Sequence, residues 1–355
     1  MSAARKKSAA RRGAGASRAR SGRAARFSAR KLALWGGISL STLWLALGCL
    51  GNWFVHHPRA WIDEARRDSP VTAAVMLWFG SPFGDLTDAL GWTGHDVVYD
   101  YDDVIEPGTV CFAGTPVRTG DPAPDDITVL DRGEFKVGWS PRLQHPVWVA
   151  YHVPAERRFP DGTRPNFTKD RSAAASPAAG DYSKTGYDRG HMAPNHAIVS
   201  RFGEEAQKKT FLMSNITPQS PALNRGVWRD VEHRIADLWT ARWGEIWVVV
   251  GCIPSDSRET LSGTGIDVPR QFFQVIVAQE GTDVRALALL FDQDVAKDAW
   301  PARHIISIDR LEELTGLDFM PELESFMEPL EAEEPTRLWP IRFRDIFRKI
   351  AIRFS

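Results

Sequence analysis

The hydrophobic and polar positions divide the chain into long apolar runs, periodic stretches and polar loops. From Leu32 to Val55 it reads LALWGGISLSTLWLALGCLGNWFV, twenty-four residues without a charge. At about 1.5 Å per helical residue this run spans roughly 36 Å, enough to cross a bilayer with some tilt. A connector of mixed character continues to residue 96. Strand-like segments rich in Val, Tyr and Trp begin near Val97: VVYDYDDV, FKVGW and VWVAYHV. A Pro-, Gly-, Ala- and Ser-rich loop fills Phe159 to Lys184. Helices are expected near Phe202–Phe211 and from Leu223 to Trp243. EIWVVVGCI is a continuous apolar run bounded by Gly and Pro, the pattern of a buried strand. RQFFQVIVAQ and VRALALLF read as two further strands joined by a turn at Glu280-Gly281. No internal repeat is visible. At the C-terminus, RLWPIRFRDIFRKIAIRFS alternates aromatic and basic residues, which fits a helix on a membrane surface or a partly exposed terminal helix equally well.

These patterns divide the chain into a tail (1–31), a transmembrane anchor (32–55), a connector (56–96), one folded domain (97–325) and a basic-aromatic C-terminal tail (326–355). Charge sharpens the picture. The formal net charge is only -1, yet residues 1–31 carry eleven Lys and Arg and no acid. A tail so poor in large apolar residues is expected to be disordered. Basic flanks stay on the cytoplasmic side, so the N-terminus is expected to face inward and the domain outward. A cleaved signal peptide, a lipoprotein signal ending in LALGC and a nucleic-acid-binding arm are the competing readings of this region. Three cysteines, Cys49, Cys111 and Cys252, are too few for a disulfide framework and lack the spacing of a zinc site. Cys111 and Cys252 lie in strand-like segments of a domain expected in an oxidising compartment, and a bridge between them is the expectation.

Two clusters could carry chemistry. YDRGHMAPNH (187–196) brings a carboxylate, a guanidinium and an imidazole into one short segment around Gly190. Phosphodiester hydrolysis needs a base for water, cationic groups for the transition-state charge and often a metal. His191 fits the first role and Arg189 the second, although an Asp-Arg ion pair and a satisfied His fit the same residues. In the second cluster, SNITPQSPALNRGVWRDVEHR (214–234), an unbroken helix from Leu223 would place Asn224, Trp228 and Glu232 on roughly one side. An amide oxygen plus a carboxylate suits a hard, largely hydrated cation such as Mg²⁺. An ordinary amphipathic helix explains that spacing equally well.

Taken in order, DRGH with Met-Ala-Pro, FLMSNITPQ, and LNRGVW with a Glu eight residues after the Asn resemble the DNA/RNA non-specific endonuclease family. The resemblance extends upstream to VWVAYHV and downstream to VPRQFF and DRLEELTGLDFMPEL, so that it covers Cys111 to Leu323. It implies an α+β fold: a mixed α/β nuclease domain with a central antiparallel sheet and a ββα-metal active site, here preceded by one transmembrane helix. By the same resemblance, His191 is the general base and Asn224 the direct ligand of a single Mg²⁺, with Mn²⁺ able to replace it. Glu232 orients metal-bound waters, Arg189 contacts the phosphate, Asn215 is an active-site Asn, and Arg164 stabilises developing charge. Gln274 stands where relatives often have Lys, and Ala236 where some have Arg, which bears on substrate binding.

The expected partners are DNA and RNA, together with a membrane through residues 32–55. The expected location is an inner membrane with the domain in the periplasm, or a mitochondrial inner membrane facing the intermembrane space. Oligomeric state is left open, a homodimer included. A membrane-tethered nucleic-acid-binding or uptake protein with an inactive site is the competing function, and a phosphodiesterase for another substrate is a third.

Overall fold

The computed structural model describes residues 96–100, 109–119, 127–257, 259–261 and 263–341, with isolated positions at 42, 46 and 69. Contacts divide the chain into two units, Met1–Phe83 and Gly84–Ser355, and the second holds every strand and helix named below. The expected tail at 1–31 and all but two residues of the expected anchor at 32–55 lie outside the described residues. Among the described residues no helix is long and apolar enough to cross a membrane.

The strands are β1 (Val97–Asp100), β2 (Val117–Arg118), β3 (Thr128–Asp131), β4 (Phe135–Ser140), β5 (His145–Val153), β6 (Asp188–His191), β7 (Ile216–Gln219), β8 (Ile246–Ile253), β9 (Gln271–Glu280), β10 (Asp283–Asp292), β11 (Ile305–Ile306) and β12 (Leu317–Asp318). An eight-stranded sheet runs β1-β10-β9-β8-β5-β4-β3, with β11 added beside β10. Its neighbours all pair antiparallel. Gly281, at φ 65, makes the tight turn between β9 and β10.

Both faces of this sheet are covered, which is why β8 reads as a continuous apolar run. Ile246, Val248, Val250 and Cys252 enter one core with Trp228, Ile235 and Trp239. Trp247, Val249 and Ile253 enter the other with Leu311, Phe319 and Leu330. This alternation decides the fate of the expected disulfide. Cys252 belongs to the first core, Cys111 packs beside the second, and both are free thiols. The sheet separates them, so the expected bridge does not form.

The helices are α1 (Asn195–Phe202), α2 (Glu204–Thr210), α3 (Pro221–Asn224), α4 (Val227–His233), α5 (Thr240–Trp243), α6 (Ile308–Thr315) and α7 (Pro329–Ala332), with a π-helical segment, Arg234–Trp239, joining α4 to α5. The helix expected near Phe202–Phe211 is α2, and a further helix not expected, α1, precedes it across Gly203 at φ 84. The helix expected from Leu223 is broken. Ser220 caps α3, its Oγ accepting from the Leu223 N–H at 3.2 Å, with Pro221 at the first helical position. The chain then turns at Gly226 (φ -109, ψ -117) before α4 starts. Asn224 and Glu232 therefore sit on different helices, and their proximity comes from this turn rather than from one helical face.

The domain boundary expected at residue 325 also moves. Met327, Leu330, Leu338, Trp339 and Ile341 are buried. The Trp239 indole donates to the Trp339 carbonyl at 3.0 Å, and Arg337 pairs with Asp96 at 2.8 Å. Residues to 341 belong to the domain, and the rest of the expected C-terminal tail lies outside the described residues.

Gly226 has no room for a side chain, because a Cβ there would overlap the backbone oxygens of Ala222 and Lys297. Backbone cannot give way as a flexible side chain can. Gly226→Ala is expected to cost about 1–3 kcal/mol of stability and to displace α3 from α4. Urea unfolding checks the first effect; an unchanged midpoint would mean the turn accommodates the methyl.

Candidate active site

The candidate site is a small two-stranded sheet leading into a helical break. β6 pairs antiparallel with β7, His191 facing Ile216 and Asp188 facing Gln219. Gly190 lets the strands lie close: a Cβ there would overlap the Gln219 side chain. Chain order then delivers α3 and α4 beside the strand end. Between these elements lies a cavity of about 1140 Å³, lined by His191, Arg189, Arg164, Asn224 and Glu232 among others. Five of the six expected site residues thus share one cavity.

His191 packs against a pair of touching rings, Phe167 at 5.4 Å and Phe211 at 4.8 Å between centroids, which lie 5.0 Å from each other. Its Nε2 is buried and has no hydrogen-bond partner. Burial and, secondarily, the Arg164 charge push its pKa down to about 3. The residue as a whole is partly exposed, so the desolvation acts on the buried Nε2 side of the ring. The imidazole is neutral at ordinary pH and its free nitrogen can accept a proton. Arg189 is fixed by a hydrogen bond from Nη1 to the Ala179 carbonyl at 3.2 Å and by its guanidinium lying 4.7 Å from the centre of the Phe167 ring.

Asn224 is oriented by Asp188. Its Nδ2 donates to Asp188 Oδ2 at 2.9 Å, which leaves Oδ1 as the acceptor end. Arg225 grips the same carboxylate with Nε at 2.8 Å and Nη2 at 2.5 Å. Burial would raise the pKa of Asp188, but the hydrogen bonds from Arg225 and Asn224 and the nearby charges outweigh it and hold the group ionised. Glu232 accepts from the Trp228 indole at 3.0 Å. Burial pushes its pKa up to about 8, against the smaller opposing effects of Trp228, His196 and Arg164.

Asn215 is placed differently from the expectation. It is fully buried and does not line the cavity. Its Oδ1 accepts from the Ala193 N–H at 2.8 Å, while Nδ2 donates to the carbonyls of Ala193 at 3.0 Å and Thr210 at 2.9 Å. Every polar atom of the amide is committed to backbone, so Asn215 is a positioning residue for the turn after His191. Gln274 is likewise buried and away from the cavity, whereas Ala236 lines it. Sequence reasoning gave no role to Asp188 or Arg225, although the Asp of DRGH and the Arg after Asn224 were both in view. It also missed His196, His233 and Asp237, which are joined by hydrogen bonds beside the cavity.

The donor set suits a hard divalent cation. Asn224 presents a neutral oxygen, and Glu232 is a buried carboxyl whose charged form the nearby His196, Arg164 and Arg229 charges offset only in part. Among the described residues no three His, Cys, Asp or Glu side chains converge as an all-protein metal cage. One amide ligand with a carboxylate behind it matches an ion that keeps most of its waters.

Comparison with known proteins places this geometry. Residues 113–326 match the model of the DNA/RNA non-specific endonuclease family. Mitochondrial endonuclease G of Bos taurus is 27% identical over 239 residues, 59% of this chain and 79% of that protein. The mitochondrial nuclease EXOG of Xenopus laevis is 30% identical over 210 residues, 53% of this chain and 57% of that protein, so the chain spans little more than half of that relative. The solved structure of an EndoG/EndoGI complex shares the fold, with a TM-score of 0.51 at 24% identity, covering 58% of this chain and 89% of that one. With its family model matched across most of the domain, the chain belongs to the DNA/RNA non-specific endonuclease family.

Proposed function

We propose that the chain is a metal-dependent, sequence-non-specific endonuclease that hydrolyses the phosphodiester bonds of DNA and RNA. The observation that carries this reading is the unpartnered Nε2 of a neutral His191 in one cavity with Arg189, Arg164 and the Asp188-oriented Asn224. Family membership makes the chain a nuclease. The substrate range, the metal and the residue roles are our inference.

Each residue takes a separate part of the reaction. Arg189 and Arg164 bind the scissile phosphate, and Phe167 keeps Arg189 from collapsing into the cavity. The His191 imidazole takes a proton from water as the water oxygen bonds to phosphorus and the P–O3′ bond breaks, leaving a 5′-phosphate and a 3′-oxygen that is then protonated. Asn224 would hold one Mg²⁺, or Mn²⁺ in its place, and Glu232 would orient that ion's waters. The ion supplies positive charge at the scissile phosphate and the leaving oxygen. None of these contacts needs a base edge, which accounts for cutting without regard to sequence. Activity on DNA and RNA with Mg²⁺, lost with EDTA, is the direct test. Binding without cutting would favour the nucleic-acid-binding alternative.

His191→Ala is expected to lower turnover by about 10²–10⁴-fold with folding retained. It should also change the pH dependence of stability. The folded pKa of about 3 lies below the ordinary value of 6.5. The folded state therefore binds fewer protons, and stability is lost as pH falls from about 6.5 toward 3. Removing the imidazole removes this contribution, so urea midpoints of the variant should fall less steeply between pH 7 and 4. Near wild-type turnover would remove His191 from the base role.

Asn224→Ala is expected to lose activity through weaker cation binding and to regain part of it at high Mg²⁺. Calorimetry showing unchanged Mg²⁺ affinity would rule Asn224 out as the ligand. Glu232→Gln is expected to cost about 10–100-fold, the usual effect of an outer-shell partner.

For location, we infer an N-terminus inside and a nuclease domain across the membrane, anchored by residues 32–55. The support is the charge asymmetry of the first 31 residues. Reporter proteins fused after residue 60 should be active only outside the cytoplasm or matrix, and activity inside would reverse the topology.

A further inference from the structure

Phosphodiester hydrolysis by His191, Arg189, Arg164, Asn224 and Glu232 leaves one wall of the cavity unused. His196 and His233 line it, beside Ala236, whose small side chain leaves space. The two imidazoles meet on one carboxylate: His233 Nδ1 lies 2.9 Å and His196 Nε2 3.0 Å from Asp237 Oδ2. His196 Nδ1 reaches Asp161 at 3.0 Å, and Arg157 lies 3.4 Å from the other oxygen of Asp237. Every nitrogen of this pair is engaged except one. His233 Nε2 is buried and has no partner. A buried nitrogen without a partner is costly, and in a ring that lines the cavity this one points to a ligand.

The surroundings determine the ligand's chemistry. Asp237 Oδ2 accepts from His233 Nδ1, which fixes the outward nitrogen as Nε2. In its charged form the ring donates from both nitrogens, one to Asp237 and one to an anion. The side-chain hydrogen bond with Asp237 raises the pKa of His196, and His196 and Arg157 together match the carboxylates of Asp237 and Asp161. The cavity, at about 1140 Å³, exceeds the roughly 300–1,000 Å³ of ordinary small-molecule sites. It has room for more than the scissile phosphate. We propose that His233, braced by Asp237 and His196, binds the phosphate next to the scissile one. The proposal rests on the nuclease reading and adds a subsite to it.

The test compares a dinucleoside monophosphate, which has only the scissile phosphate, with the same dinucleotide carrying one extra 5′- or 3′-phosphate. Wild type should prefer one of the two phosphorylated forms. In His233→Ala the ratio of kcat/KM values for that form over the plain dinucleotide should fall about tenfold or more, the equivalent of about 1.4 kcal/mol. The loss should appear in KM rather than kcat. His196→Gln should cause a smaller loss in the same direction. In EDTA, fluorescence anisotropy should show that His233→Ala weakens binding of the phosphorylated form more than the plain one. A folded His233→Ala protein that keeps the wild-type ratio overturns the subsite, as does an equal loss of kcat on both substrates. If wild type cuts neither these nor long DNA and RNA with Mg²⁺, the nuclease reading has failed. The metal-free binding difference then decides the subsite alone.

Discussion

Asp188 ties the strand that carries His191 to the helix end that carries Asn224. Its carboxylate accepts from Asn224 Nδ2 and from two nitrogens of Arg225, while its backbone starts the short strand ending in His191. The Arg225 side of this contact is exposed and screened by solvent, so its contribution to stability is small. The geometric consequence outweighs the energy. The proposed base and the proposed metal ligand belong to elements joined by more than thirty residues of chain, and one ionised carboxylate sets their separation. Gly190 keeps β6 close to Gln219 of β7, and Gly226 keeps the turn after Asn224 against Ala222 and Lys297, so each holds its own half of this contact in place.

Beneath this junction the protein uses a buried amide where a catalytic one was expected. Asn215 has no polar atom left for substrate, and its three bonds hold the backbone at Ala193 and Thr210. Phe167 and Phe211, in contact with each other, complete the support by packing together against the His191 ring. The base is thus positioned by groups that do no chemistry themselves.

The sheet was legible in the sequence because its central strands are covered on both faces and leave uninterrupted apolar runs. The site residues were legible through ordered motifs, and five of the six meet in one cavity. Other features hid for identifiable reasons. Helical periodicity runs straight across Gly226, so spacing alone could not show that the helix expected from Leu223 breaks there. Leu338, Trp339 and Ile341 stand among basic residues, and the alternation resembled a surface segment although the three are buried. The cysteine pair failed because the register of β8 sends Cys252 to one face of the sheet, while Cys111, in a bend outside the strands, packs beside the core on the other. Asn215 shows the limit most plainly: a polar residue in a catalytic motif reads the same whether it touches substrate or backbone.

His191 and Glu232 respond in opposite directions to the same burial. Desolvation disfavours charge, so it lowers the imidazole to about 3 and raises the carboxyl to about 8. The two groups in the proposed roles of base and water-orienting acid are therefore both neutral in the protein alone. The Arg164 charge adds to the depression of His191. A phosphodiester arriving between them offsets that charge and favours the imidazolium, so the basicity of His191 rises as substrate binds. A proton acceptor near 3 is a weak base, and one raised toward the working pH is a better one. By this argument Arg164, which adds to the larger effect of burial, also weakens the base until the phosphate is present.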